Sequence, residues 1–194
     1  MLYSLTVAVC AGLIIALNLL LGGELTLYAA GKISLITLCG VAAAFVTDAV
    51  CAFAVRRLPE RWFLPEARLF SVGKRELEIY RRIRLSRLKR WVPEWGCFTG
   101  FHKDKLRSSA DTEYLARFLL ESNYGVLGHV AGAVCGFALM LIPIFDPFTM
   151  ALPIAAVNAF LSLLPTAILR SNTPALRRLY RRSLARDERS EKTK

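Results

Sequence analysis

The sequence predicts an all-α integral membrane protein, with four transmembrane helices arranged as two hairpins and a basic helical cytoplasmic region between them. Three observations predict it. Hydrophobic residues make up 55% of the 194, with a mean hydropathy of +0.41, too apolar for an ordinary soluble domain of this size. They are gathered in four blocks: 2–21 and 149–169 carry no charge, 33–55 carries only Asp48, and 125–144 carries only His129. The cations avoid these blocks. Sixteen of the 26 Lys and Arg fall in 56–124 and nine in 170–194, and only Lys32 lies elsewhere.

Each block holds 20 to 23 residues, and at about 1.5 Å per residue each spans the roughly 30 Å of a bilayer core. Four spans put the central region and the tail on one side. The positive-inside rule makes that side the cytoplasm, with both termini cytoplasmic in a multi-pass protein of the bacterial plasma membrane. The chain is then one membrane domain in four parts: a first hairpin at 1–55, a basic helical region at 56–124, a second hairpin at 125–169 and a basic tail at 170–194. The first block reads as a retained span, because Met1 to Ser4 supply no charged side chain for a cleaved signal peptide. The five cysteines include no CxxC pair and there are two histidines, so neither a disulfide nor a metal site is expected.

Between the hairpins, residues 74–90 predict a helix. Leu77, Tyr80, Leu88 and Trp91 fall on a narrow arc, which Arg81 and Arg84 interrupt. Arginine stems can snorkel from such a face to headgroups, which suits a helix lying in the interface. A second helix is expected over 111–121, with Tyr114, Leu115, Phe118 and Leu119 on one face and a break at 122–125 before the third span. The last eight residues, 187–194, read as disordered. Between these features, residues 90–106 put Trp91, Trp95, Phe98 and Phe101 among charges, with Glu94 between the tryptophans. Rings of that kind are favoured at headgroup depth.

Polar residues inside the spans are the strongest functional candidates. An ionisable side chain there costs at least about 2.5 kcal/mol, so it faces the bundle interior or a wet cavity. Asp48 and His129 both fall roughly 6–10 Å below the cytoplasmic surface, and Asn158 lies near mid-bilayer. At a shared depth on different helices, Asp48 can orient His129 as a general base. The alternative makes Asp48 a helix-packing group and His129 an interfacial residue. Beside His129 run Gly128, Gly132 and Gly136, a ridge of small residues that admits another helix closely. Its partner is helix two at Ala42, Ala43, Ala44 and Ala49, or a second copy in a homodimer.

Soluble signatures are missing: there is no GxGxxG, P-loop, GxSxG or CxxC pair. A net charge of +11 invites nucleic acid, but the topology already accounts for where that charge sits, and nucleic acid is not expected as a partner.

Pro93-Glu94 with Gly96, then Phe98, Gly100 and Lys103, are followed by Tyr114, Leu115, Phe118 and Glu121 on one helix and by His129 eight residues on. A terminal span follows with Asn158, Pro165, Arg170, Asn172 and Arg177. This order, over 85–178, resembles the glycosyl-4,4'-diaponeurosporenoate acyltransferase family of small membrane enzymes. The resemblance implies transfer of a fatty acyl chain to a sugar hydroxyl of a glycosylated carotenoid acid, or to another lipid or glycolipid acceptor. The donor it implies is an acyl-CoA, used as a substrate and not as a cofactor. It assigns His129 as general base, Glu121 or Glu94 as the group that orients it or supports the acceptor, and Arg170 with Asn172 to donor phosphate or the ester oxyanion. Trp91, Trp95 and Phe98 would roof the pocket against membrane lipid. A rival reading from another class is a non-catalytic four-helix scaffold or assembly protein that binds anionic lipid or a partner.

Overall fold

A computed structural model describes residues 2–23, 26–85 and 111–192, and every regular element among them is helical. The helices are α1 (Leu2–Gly22), α2 (Leu27–Arg56), α3 (Lys74–Arg82), α4 (Thr112–Cys135) and α5 (Leu152–Lys192). Short turns of 3₁₀-helix at Glu60–Trp62, Arg68–Phe70 and Gly136–Leu141 and a π-turn at Pro147–Ala151 complete the list. Among the described residues, four stretches are long and apolar enough to cross a membrane: Tyr3–Gly22, Leu27–Arg56, Thr112–Leu141 and Pro147–Lys192. Large apolar side chains such as Leu13, Leu35, Val46, Phe53 and Phe160 stand exposed on them. Apolar faces of that kind suit contact with lipid.

The chain forms two compact units, Met1–Val55 with Leu127–Leu164, and Arg56–Val126 with Pro165–Lys194. In the first, Ile14, Ala44, Leu139, Phe145, Met150, Ala151 and Ile154 form the packed centre. Polar groups tie its ends. Asn18 Nδ2 donates to the carbonyls of Ile14 and Thr149, each at 2.8 Å. The Thr149 hydroxyl lies 2.6 Å from Asn18 Oδ1 and 2.9 Å from Asp146 Oδ1. Asp146 also accepts from the backbone N–H groups of Phe148 and Thr149 at 3.0 and 2.8 Å. Together with Pro147 at the first position, this is a well-made helix start. Thr26 does the same for α2, accepting from Ala29 N at 3.1 Å.

The second unit centres on Leu115, Phe118, Leu119 and Leu176, with Tyr114, Leu179 and Tyr180 packed against them. Prolines 59 and 65 keep the segment before α3 out of regular helix, so its carbonyls need side-chain donors. Asn123 Nδ2 reaches the carbonyl of Phe63 at 2.8 Å, Arg177 Nη2 that of Ala67 at 2.8 Å, and Arg170 Nη2 that of Ser71 at 3.2 Å. The segment is pinned in place by these donors, and Phe63 stacks on Tyr124 with centroids 3.9 Å apart.

Four sequence expectations are corrected here. The helix from Lys74 ends at Arg82, not at residue 90, because Arg84 takes a left-handed φ of 51° and the turn carries Leu85 into a buried position. Residues 122–125 make no break, since α4 runs through them. The polar side chains that suggested a break find partners: Ser122 Oγ donates to the Phe118 carbonyl of the same helix at 2.8 Å, and Asn123 Nδ2 to the distant Phe63 carbonyl. In addition, α5 extends through Lys192, so residues 187–192 are helical. Thr112 Oγ1 donates to Asp187 Oδ2 at 2.6 Å and gives that stretch a tertiary anchor. At its other end α2 starts six residues earlier than the apolar block, taking Lys32 into the helix.

Candidate functional site

In the first unit, α2, α4 and α5 build a polar cluster around Asp48. Its Oδ1 accepts from Asn158 Nδ2 at 3.1 Å and its Oδ2 from Ser162 Oγ at 3.3 Å. Asn158 and Ser162 are one helical turn apart on α5 and both are buried. Asparagine and serine are neutral donors that bind a carboxyl without adding charge. Two hydrogen bonds of about 1 kcal/mol each offset much of the cost of placing that group in a span.

The glycine face of α4 makes room for this cluster. A methyl group added at Gly128 would meet Ala52 Cα at 3.6 Å, one at Gly132 would collide with the Asp48 carboxyl, and one at Gly136 would lie 3.0 Å from Asn158 Nδ2. Helix two does meet the ridge, with Ala52 nearest at Gly128 and Asp48 nearest at Gly132. His129 follows Gly128 on α4 and is half-buried.

Two more predicted residues sit in the second unit, each in an ion pair. Glu121 takes Arg56 Nη2 on Oε2 at 2.6 Å, and the same guanidinium lies 5.5 Å above the Tyr124 ring. Arg170 donates from Nε to Glu76 Oε1 at 2.5 Å and from Nη2 to Glu76 Oε2 at 2.8 Å. The Tyr80 hydroxyl donates to Glu76 Oε1, also at 2.5 Å. Arg170 holds the Glu76 carboxyl below its ordinary range, against the opposing effect of burial. Burial and then the Glu76 hydrogen bond push the Tyr80 hydroxyl up to about 12. Asn172 lies half-buried on α5. Glu94, Trp91, Trp95 and Phe98 lie outside the described residues.

The structure thus brings Asp48 together with Asn158, and adds Ser162, Glu76 and Arg56, which sequence reasoning did not select. Ser162 carried a signal, since it falls four residues after Asn158 on the same apolar helix. Glu76 and Arg56 carried none, being 94 and 65 residues from the groups they bind. Among the described residues no group of three or more His, Cys, Asp and Glu side chains is placed to hold a metal ion.

Four long apolar helices among the described residues, a polar cluster inside one unit and a second unit rich in arginine point to a small helical protein of the membrane type. A family model described as glycosyl-4,4'-diaponeurosporenoate acyltransferase matches residues 59–182, more than half of the sequence. The chain belongs to that family, which points to an acyltransferase of carotenoid biosynthesis. The match takes in the Glu76–Arg170 and Arg56-paired Glu121 elements as well as His129 and Asn158. No match was found among curated proteins or among solved structures.

Proposed function

We propose that the protein is a membrane-embedded acyltransferase that moves a fatty acyl group from an acyl-CoA to a hydroxyl of a lipid or glycolipid acceptor, at the cytoplasmic face of a bacterial plasma membrane. The observation that carries this reading is the family match over residues 59–182 in a chain with four apolar helices. In the reaction the acceptor oxygen attacks the thioester carbonyl, forming a C–O bond, and the C–S bond breaks. His129 takes the hydroxyl proton and returns it to the leaving thiolate, so no covalent enzyme intermediate is needed. Glu94 orients the histidine, since Glu121 stands eight residues and about 12 Å along α4 from it and holds Arg56; Asp48 with Asn158 forms a polar lining in the spans. Arg170 and Asn172 face donor phosphate or the oxyanion, Arg170 doing so while it holds Glu76. The basic region suits a phosphate-rich donor head, and Trp91, Trp95 and Phe98 suit the headgroup layer above the acyl chain.

A non-catalytic scaffold is the second reading. It is favoured by the engagement of Asp48, Glu121 and Arg170 with internal partners. Comparative mass spectrometry of lipid extracts separates the two, using cells that lack the protein, regain it, or regain His129→Ala. An acylated lipid lost on deletion and restored only with the histidine supports the transferase and names its acceptor. An unchanged lipid profile supports the scaffold.

A further inference from the structure

In the first unit a shallow, half-open groove lies between α1, α2 and α5. Tyr3, Val7 and Ile14 line it from α1, Phe45 from α2, and Val157 and Asn158 from α5. The α1 residues recur at three- and four-residue steps, so they form one continuous helical face. The space exists because Ala11 and Ala44, both buried, stand where longer side chains would fill it.

We infer that this groove seats the alkyl chain of the acyl group, and that it sets which chain lengths the protein accepts. The inference rests on the acyltransferase reading above. From Tyr3 to Ile14 the lining face is about 16 Å long at 1.5 Å per residue. That is half of the roughly 30 Å hydrocarbon core, the depth one leaflet's chain occupies. The walls are apolar except for Tyr3 and Cys10 on α1 and Asn158 on α5. Asn158 turns its amide nitrogen to Asp48, so the groove runs past the polar cluster without placing a charge on its wall. An alkyl chain fits such a slot, with the thioester at the Tyr3 end and the terminal methyl toward Ile14. A polar acceptor head would leave its hydroxyls without partners along most of it.

The test uses the full chain in lipid nanodiscs and a palmitoyl-CoA bearing a mid-chain diazirine. Irradiation is expected to label peptides covering residues 3–14 and 154–161, and unlabelled palmitoyl-CoA should compete the labelling away. Ala11→Leu with Ala44→Leu fills the groove and should shift transfer toward lauroyl-CoA over palmitoyl-CoA by about tenfold or more, the scale on which apolar pockets sort methylenes. Phe45→Ala, which removes bulk and avoids overpacking, should shift it the other way. Labelling that falls outside the groove, or chain preference unchanged in both variants, overturns the inference while continued acyl transfer leaves the enzyme reading standing. Equal, uncompeted labelling by a photoreactive phosphatidylglycerol also overturns it, leaving a site for bilayer lipid alone. Absence of any transfer by the wild-type chain overturns the enzyme reading, and the inference falls with it.

Discussion

Gly132 has no room for a side chain, because the Asp48 carboxyl occupies the space, whereas Gly128 meets only Ala52 at ordinary contact distance. Gly132→Ala is therefore expected to destabilise the protein by about 1–3 kcal/mol, the usual cost of overpacking, and Gly128→Ala by much less. Thermal unfolding in detergent compares the two, and equal effects would contradict the packing described around Asp48. A second residue-scale prediction concerns Glu76. Its carboxyl is held below the ordinary 4.5, first by Arg170. A depressed carboxylate adds stability that is present above its unfolded pKa and lost as pH falls through the folded value. Stability should drop as pH falls below about 4.5, and Arg170→Gln should flatten that part of the profile. An identical acid limb in the variant would show that the pair does not couple to folding.

At the scale of elements, the helices were legible because lipid-facing surfaces need long apolar runs, and 2–21 and 33–55 stand out for that reason. Their ends were less so. Residues 122–125 look like a breaker when read as Ser-Asn-Tyr-Gly, yet α4 passes through them because Phe63 and Leu64, some 60 residues earlier, supply the carbonyls that Asn123 needs. Lys32 reads as part of a connection and 187–194 as a disordered terminus, whereas the backbone stays helical at Lys32 and through Lys192, with Thr112–Asp187 as an anchor for the tail. Arg84 marks the end of the α3 segment with a φ of 51°, a conformation that costs about 1–2 kcal/mol for a residue with a Cβ. Arg84→Gly should relieve roughly 1 kcal/mol of that, read as a raised unfolding midpoint. A lowered midpoint would mean that the arginine side chain contributes more than its backbone costs.

For the whole molecule, the family and the membrane type were legible in order and spacing: apolar blocks, cation placement, and the run from Pro93 through Glu121 to His129 and Asn158. Asp48 and Asn158 stand out in the sequence for their cost in a span, with Asp48 expected beside His129; the structure places Asn158 and Ser162 on the Asp48 carboxyl. The pairing of Glu121 with Arg56 and of Arg170 with Glu76 was not legible, since nothing local in the sequence links residues 65 and 94 positions apart. These pairs bear on function, because they set which charges are already engaged when a substrate arrives.

The central claim is acyl transfer dependent on His129. Its most direct measurement is made on the purified chain in nanodiscs, supplied with deuterated palmitoyl-CoA and a neutral and glycolipid extract, following deuterium in the lipid fraction alongside release of free CoA. Label should enter a lipid acceptor in step with CoA release, and His129→Ala should lose about 10²-fold or more of that rate, as removal of a general base does. Label entering as fast with the alanine variant would contradict the role of His129, and no label with the wild-type chain would contradict acyl transfer itself.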